Sequence, residues 1–152
     1  MAIVVNTTLT IKSPAFLNND FIPLNYSCEG SNINPAISIQ DLPKETVSLA
    51  LIMDDPDARS GTFVHWIMWN IPPTKMIGEN TAPGIQGINS ADENKYHGPC
   101  PPSGTHRYFF KLYALDTLLN LPEGIKKQDL EKAMQGHILA QTQIIGLYKK
   151  TF

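Results

Sequence analysis

Proline and glycine interrupt this chain frequently, and they limit what it can fold into more than any other feature of the sequence. Twelve prolines and ten glycines occur among the 152 residues, and most of them lie in the first two thirds. Proline cannot donate a backbone hydrogen bond, and glycine favours tight turns. The pattern therefore predicts short strands joined by tight loops rather than long helices.

Several segments between these residues have the composition of β-strands. The segment Val47 to Met53 is apolar at both its odd-numbered and its even-numbered positions, except for Ser48. This pattern is typical of a central strand covered on both faces. Between Ile71 and Arg107 the chain has little periodicity, and an irregular segment of this length is usually a binding element when it is ordered. The predicted strands are Leu9 to Lys12, Ala36 to Gln40, Val47 to Met53, Thr62 to Ile71 and Arg107 to Leu115, with a shorter candidate at Ile85 to Ile88.

Only the end of the chain has helical spacing. Asp129 offers a start signal, and Gly136 is expected to divide the segment into two short helices. Strands followed by helices predict an antiparallel sheet or sandwich with helices packed at one side. We also expect His137 to be a hydrogen-bonded core histidine. The residues on the helical ladder are Leu130, Met134, His137, Ile138, Gln141, Ile144 and Ile145.

The composition is that of a globular domain of ordinary size. Hydrophobic residues make up 42% of the chain and charged residues 17%, and the formal net charge is -2. Because no excess of basic residues exists to bind phosphate backbones, we expect no nucleic-acid partner. The longest apolar stretches are far shorter than the ~20 residues that cross a bilayer.

The expected cellular location follows from what the sequence lacks. Met1 to Lys12 has no cationic start, no sustained apolar stretch and no small-residue cleavage site, so it does not resemble a secretory signal. We therefore expect a soluble, cytoplasmic protein. In that setting, Cys28 and Cys100 are expected to be reduced thiols rather than a disulfide.

A group of acidic residues follows the predicted central strand directly. Pro56 favours extended backbone at Asp55, which projects the side chains of Asp55 and Asp57 to the same side. Carboxylates this close repel each other unless cationic or N–H partners are present. The alternative is a simple turn, because aspartate and proline are common turn residues.

The next strand carries a histidine among large apolar residues. With a period of two, His65 shares a face with Ile67 and Trp69, while Trp66 and Met68 take the other face. A histidine in this setting is either a hydrogen-bonded core residue or a ligand-binding residue, and the strand pattern alone does not decide between them. The two tryptophans are expected to be packing residues.

A loop rich in proline and glycine leads into the last predicted strand. If that strand begins near His106, then His106 and Tyr108 share a face, and Arg107 points the other way, where it can meet a carboxylate. The loop that precedes them is stiff at its prolines and open at its glycines. Its backbone N–H groups can therefore be held towards a small ligand.

Taken together, these motifs resemble the phosphatidylethanolamine-binding protein family, specifically its bacterial and archaeal branch of Raf kinase inhibitor-like proteins. Their order and spacing match across most of the chain. One departure is Arg59, where the family often has proline. The motifs are Asp55-Pro56-Asp57-Ala58, His65-Trp66 ahead of Asn70-Ile71-Pro72, the run Gly98-Pro99-Cys100-Pro101-Pro102-Ser103-Gly104-Thr105-His106-Arg107-Tyr108, and Gly136-His137-Ile138-Leu139-Ala140.

The resemblance implies a mostly β, sandwich-like fold around a large antiparallel sheet, with short C-terminal helices, in a single domain over residues 1–152. It also implies a small pocket at the strand ends for phosphate-like or carboxylate-like groups, such as a phospholipid head group. The resemblance implies no cofactor or metal, but it does imply a homodimer. Carried over by position, the ligand-binding residues are Asp55, Asp57, His65, Gly98, Cys100, Pro101, His106 and Tyr108.

An anion can bind beside aspartates if histidines stand between them. We expect Asp55 or Asp57 to partner His65 and His106 and to raise their pKa values, so that imidazolium N–H groups face the ligand. Phosphate should then bind better near pH 6 than near pH 8.

Two other classes of function compete with a non-catalytic binding protein. His65, His106 and Asp55 could form the metal site of a hydrolase, and Cys100 near His97 or His106 could act as a thiol nucleophile. The sequence has no tight helical metal-ligand motif and no helix start beside the thiol. These two absences argue against an enzyme. The third class is a protein-interaction module that modulates a kinase or protease, as members of the resembled family do.

Overall fold

The structure is a computed structural model that describes residues 8–151. The first seven residues, on which part of the targeting prediction depends, lie outside the described range. The elements in chain order are β1 (Thr10–Lys12), β2 (Asp20–Phe21), a 3-10 turn (Leu24–Tyr26), β3 (Ile37–Gln40), β4 (Ser48–Asp55), β5 (Phe63–Ile71), β6 (Met76–Ile77), β7 (Ile85–Gln86), β8 (Thr105–Leu115), α1 (Lys127–Met134) and β9 (Ile138–Lys149).

These strands form two sheets. The larger has six strands in the order β2-β9-β8-β4-β5-β7, and the smaller has three in the order β1-β3-β6. All pairs are antiparallel except β2 with β9, which run parallel. The prediction of a mostly β fold around a large sheet is therefore confirmed, with the correction that the large sheet is mixed.

The large sheet is covered on both faces. All eight residues of the central strand β4 are buried, as its apolar sequence on both parities predicts. One face packs against the small sheet in a core that includes Met53 and Phe110. The other face packs against α1 in a second core that includes Ile52 and Leu130. A sandwich with a helix on its outer side results.

The prediction for the end of the chain is only half correct. The helix α1 forms, but Gly136 adopts a left-handed φ of 81° and ends it. Residues 138–149 then form the longest strand of the sheet, paired with β8 along its whole length. The apolar residues of this segment fit both the helical period and the strand period. The continuous hydrogen bonding to β8 favours the strand.

The prediction that His137 is a core histidine is wrong. Its side chain is 45% exposed, and Nδ1 lies 2.8 Å from Oδ1 of Asp116 at the surface. In the part of the chain that the structure describes, no helix is long and apolar enough to span a membrane.

Candidate functional site

A cavity of about 340 Å³ opens at the end of the large sheet where β4, β5 and β8 meet the loop before β8. We call the β5 and β8 side, formed by Phe63, His65, His106 and Tyr108, the strand wall. The opposite side, formed by His97, Cys100 and Pro102, is the loop wall. Ala58 and Arg59, which follow β4, complete the lining.

Asp55 lies behind the strand wall and holds one of its histidines. The carboxylate is 3% exposed, and its Oδ2 lies 2.6 Å from Nδ1 of His106. Its other oxygen accepts the backbone N–H of Asp57 at 2.7 Å, which is the extended geometry that Pro56 favours. Because the carboxylate occupies Nδ1, the second ring nitrogen of His106 is left for the cavity that this residue lines.

Asp57 pairs with Arg107 rather than with a histidine. The guanidinium donates to both carboxylate oxygens, at 2.9 and 2.8 Å, and the backbone N–H of Arg107 donates at 2.9 Å. These bonds lower the pKa of Asp57 to about 2. The predicted outward orientation of Arg107 towards a carboxylate is confirmed. Asp57 thus anchors the start of β8 to the end of β4.

A β-bulge places His65 in the cavity. Met53 pairs with Trp66, but the next residue of β4, Asp54, pairs with Val64, so His65 is an extra residue on β5. Bulges re-aim side chains in this way. The ring of His65 consequently packs edge-on against Tyr108, with the centroids 5.2 Å apart, on the side opposite Ile67. The predicted shared face of His65 and Ile67 is therefore wrong.

The expectation that an aspartate partners His65 and raises its pKa is also wrong. Nδ1 of His65 lies 2.5 Å from the backbone carbonyl of His97, and the side chain is almost completely buried. Burial lowers its pKa to about 4, so the ring is neutral at physiological pH. Since a carbonyl only accepts, Nδ1 carries the proton, and Nε2 is a hydrogen-bond acceptor.

Tyr108 brings a buried hydroxyl to the same wall. Its side chain is fully buried, and the hydroxyl oxygen has no hydrogen-bond partner among the described residues. Burial and the nearby charge of Asp55 raise the pKa of the Tyr108 hydroxyl strongly. The backbone of Cys100, which lies close to this hydroxyl, lowers that pKa slightly. The hydroxyl therefore remains protonated.

Cross-links to distant segments hold the loop wall. The backbone N–H of Gly98 donates to Oδ1 of Asn32 at 2.8 Å, and that of Cys28 donates to the Pro99 carbonyl at 3.1 Å. Cys28 and Cys100 form a disulfide with Cα atoms 5.5 Å apart. The expectation of reduced thiols is wrong, because the fold brings together two residues that are 72 positions apart in sequence.

A buried asparagine fixes the approach to this loop. The Asn89 side chain donates to the backbone carbonyls of His65 and Lys95 and accepts the N–H groups of Ala91 and Glu93. All of its contacts are with backbone groups. The turn that these bonds stabilise leads directly to His97.

The structure brings half of the predicted site residues to the cavity surface. Gly98 and Pro101 are buried within the loop, and Asp55 and Asp57 lie behind the wall. The predicted residues that line the cavity are His65, Cys100, His106 and Tyr108, and those that prediction missed are Ala58, Arg59, Phe63, His97 and Pro102. Arg59 and His97 were recognisable from their positions beside predicted residues.

The geometry bears on the two enzyme hypotheses, which are a metal-dependent hydrolase and an enzyme with a thiol nucleophile. Cys100 has no free thiol, because it is bonded to Cys28. Within residues 8–151, no group of three or more histidine, cysteine, aspartate or glutamate residues is arranged to hold a metal ion. The second buried carboxylate at the end of β4, Asp54, lies on the helix side of the sheet and contacts Lys111 and Lys127.

Comparisons with known proteins agree with the fold and the motif order. Residues 12–149 match the sequence profile of the phosphatidylethanolamine-binding protein family. A UPF0098 protein of Methanothermobacter thermautotrophicus is 46% identical over 150 residues, covering 93% of this chain and 99% of the relative. A UPF0098 protein of Pyrococcus horikoshii is 49% identical over 149 residues, covering 91% of this chain and 75% of the relative.

A crystal structure from Chlamydia trachomatis, described as a phosphatidylethanolamine-binding protein homologue, superposes with a TM-score of 0.90. It is 42% identical and covers 93% of this chain and 97% of its own. The sequence match, the relatives and the fold are mutually consistent. The chain therefore belongs to the phosphatidylethanolamine-binding protein family.

Proposed function

We propose that this protein is a non-catalytic binding protein whose cavity accepts phosphate-like or carboxylate-like groups, of a phospholipid head group or another phosphorylated ligand. The observation that carries the proposal is the chemistry of the cavity lining. Three histidines, an arginine and a tyrosine line it, and no aspartate or glutamate of the described residues does. Hydrogen-bond donors and cations without competing carboxylates favour an anion.

The position of Asp55 is compatible with an anion because the carboxylate lies behind His106. When the His106 ring carries both protons, the ligand meets an N–H group and not a carboxylate.

The remaining lining is apolar. Phe63, Pro102 and the disulfide at Cys100 surround the polar groups, and the volume of about 340 Å³ exceeds what a bare phosphate fills. A pocket that is mostly apolar with a few convergent polar groups is the usual form of a small-molecule site. The ligand is therefore expected to carry an organic group beside its anionic head.

Isothermal titration with phosphate, acetate and phosphoethanolamine tests the proposal. His106→Ala should weaken phosphate binding about 10- to 100-fold, as expected for loss of a charge-assisted hydrogen bond of about 1.5–3 kcal/mol. His137→Ala is a matched control, because His137 also contacts a carboxylate through Nδ1 but lies outside the cavity. Equal affinities in wild type and His106→Ala would refute the proposal.

His65 should contribute no pH dependence to phosphate binding between pH 8 and pH 6. Because the pKa of His65 is about 4, its protonation does not change between pH 8 and pH 6. A pH dependence of phosphate binding that disappears in His65→Gln would therefore contradict the neutral state of this ring.

Modulation of a kinase or protease, a homodimer and a cytoplasmic location remain predictions. Light scattering at several protein concentrations checks the dimer. A partner that binds through the outer surface should still bind His106→Ala, whereas one that inserts a phosphorylated group into the cavity should not.

A further inference from the structure

Hydrogen bonds hold the first part of the loop that forms the loop wall. The backbone N–H of His97 donates to the His65 carbonyl at 3.1 Å, and the Pro99 carbonyl accepts the N–H of Cys28 at the same distance. The His97 carbonyl also lies 2.5 Å from Nδ1 of the His65 ring. Residues 97–99 are therefore tied to β5 and to the chain around Cys28 by bonds that do not involve the disulfide.

The following part of the loop has no such bonds. We call residues 100–104 the distal loop, and two residues of the loop wall, Cys100 and Pro102, belong to it. Among the described residues, no hydrogen bond joins the four residues after Cys100 to another segment. All of the distal loop except Pro101 is exposed. The disulfide at Cys100 and the burial of Pro101 therefore hold it in place.

The other end of the disulfide is anchored independently. Cys28 lies between Ser27, which is fully buried, and Glu29. The hydroxyls of Ser27 and Tyr148 lie 2.9 Å apart, and the Tyr148 hydroxyl donates to the Glu29 carboxylate at 2.5 Å. Because these bonds fix the chain on both sides of Cys28, cleavage of the disulfide frees the distal loop and leaves the Cys28 segment in place.

The disulfide is open to a small dithiol reductant. Cys100 is exposed and Cys28 is only partly buried. A thiolate of the dithiol attacks Sγ of Cys100, the bond between the cysteine sulfurs breaks, and Cys28 leaves as a thiolate that takes up a proton. The second thiol of the reagent gives up its proton and displaces Cys100, which becomes a thiol as the reagent closes its own disulfide. Two electrons pass to the protein, and an oxidised dithiol reverses the reaction.

Resting on the proposed anion-binding function, we propose that the Cys28–Cys100 disulfide is a redox switch for the cavity. The oxidised form presents a complete loop wall to the organic group of the ligand. Reduction releases the distal loop, which must then be ordered again whenever a ligand binds, and this ordering lowers the affinity. The contact between Asp55 and His106 on the strand wall does not involve the disulfide, so the anionic head keeps its site.

Isothermal titration with inorganic phosphate and phenyl phosphate, before and after reduction with dithiothreitol, tests the switch. Reduced wild type should bind phenyl phosphate at least about fivefold more weakly than oxidised wild type, whereas the affinity for inorganic phosphate should change about twofold or less. Oxidised dithiothreitol should restore the original affinity. The matched control is Cys28→Ser with Cys100→Ser, which should bind as reduced wild type does and should not respond to either reagent.

A second measurement uses the reciprocity of coupled equilibria. In a buffer of reduced and oxidised dithiothreitol, saturating phenyl phosphate should raise the ratio of oxidised to reduced protein by the same factor by which reduction weakens its binding. A ratio that does not respond to phenyl phosphate would overturn the switch. Far-UV circular dichroism of the reduced protein should keep the signal of the sheet. Loss of that signal would make the disulfide a structural staple and would also overturn the switch.

The outcomes separate failure of the switch from failure of the proposed function. If oxidised wild type does not bind inorganic phosphate, or if His106→Ala binds it equally well, the anion-binding function is wrong and the switch falls with it. If phosphate binds through His106 but phenyl phosphate has the same affinity for the oxidised and reduced proteins, only the switch is wrong.

Discussion

The two walls of the cavity are built by different means. The strand wall is positioned by the register of β4, β5 and β8, with short contacts such as that between Asp55 and His106. The loop wall has no regular structure, and the Cys28–Cys100 disulfide, the bond from Gly98 to Asn32 and the Asn89 turn hold it in place. The geometry of one wall is thus set by continuous strand pairing, whereas that of the other depends on a few discrete links between loops.

This difference predicts that the largest loss of stability comes from the loop side. A disulfide that links residues 72 positions apart restricts the unfolded chain by about 4 kcal/mol in the chain-entropy view. Reduction, or Cys28→Ser with Cys100→Ser, should lower the free energy of unfolding by an amount of this order in urea titrations. The double variant should not respond to reductant. If reduction leaves the unfolding midpoint of wild type unchanged, the loop is held by its other bonds.

A smaller effect is expected at Gly98, where a side chain has no room. An added Cβ would collide with the Tyr26 carbonyl and the Asn32 side chain. Gly98→Ala should therefore cost about 1–3 kcal/mol in the free energy of unfolding, through overpacking and the loss of the bond to Asn32. Gly124→Ala is the matched control, because an added Cβ there meets nothing within 4 Å. Similar losses in both variants would contradict the tight packing of the loop.

An effect of similar size distinguishes the strand wall by its pH dependence. The pKa of His65 falls from 6.5 to about 4 on folding, mainly through burial. Between these values the unfolded chain binds a proton that the folded one does not, so stability is complete above pH 6.5 and decreases as the pH falls towards 4. We expect a loss of about 2 kcal/mol from pH 7.5 to pH 5.

Urea unfolding of wild type and His65→Gln at the two pH values measures this contribution. The variant should lose most of the pH dependence, although it is less stable at neutral pH because the contact with the His97 carbonyl changes. An equal decrease in both proteins would assign the dependence to other titrating groups.

The sequence predicted the strand wall much better than the loop wall. Alternation and apolar runs located β4, β5 and β8, and the resemblance to the family implied that Asp55 and His106 share a pocket at the strand ends. The bulge at His65 could not be predicted, because one extra residue does not change the composition of a strand. The strand β9 was missed because its apolar residues also fit a helical period.

The loop wall was mispredicted for another reason. The cysteines were assigned from the expected cellular location, but their pairing depends on distances that only the folded chain defines. The role of Asn89 was equally hidden, since an asparagine in a loop gives no sign that its amide satisfies four backbone groups. The resemblance to the family supplied motif positions there without the links that hold them.

The central strand β4 ends with two adjacent carboxylates on opposite faces of the sheet. Asp54 meets two lysines on the helix side, and Asp55 meets His106 on the other. A slip of one residue in pairing would turn every side chain of this strand to the wrong face. Each carboxylate would then lie buried without its hydrogen-bond partner, which is costly. These contacts therefore also favour the correct register over misaligned forms of the sheet during folding.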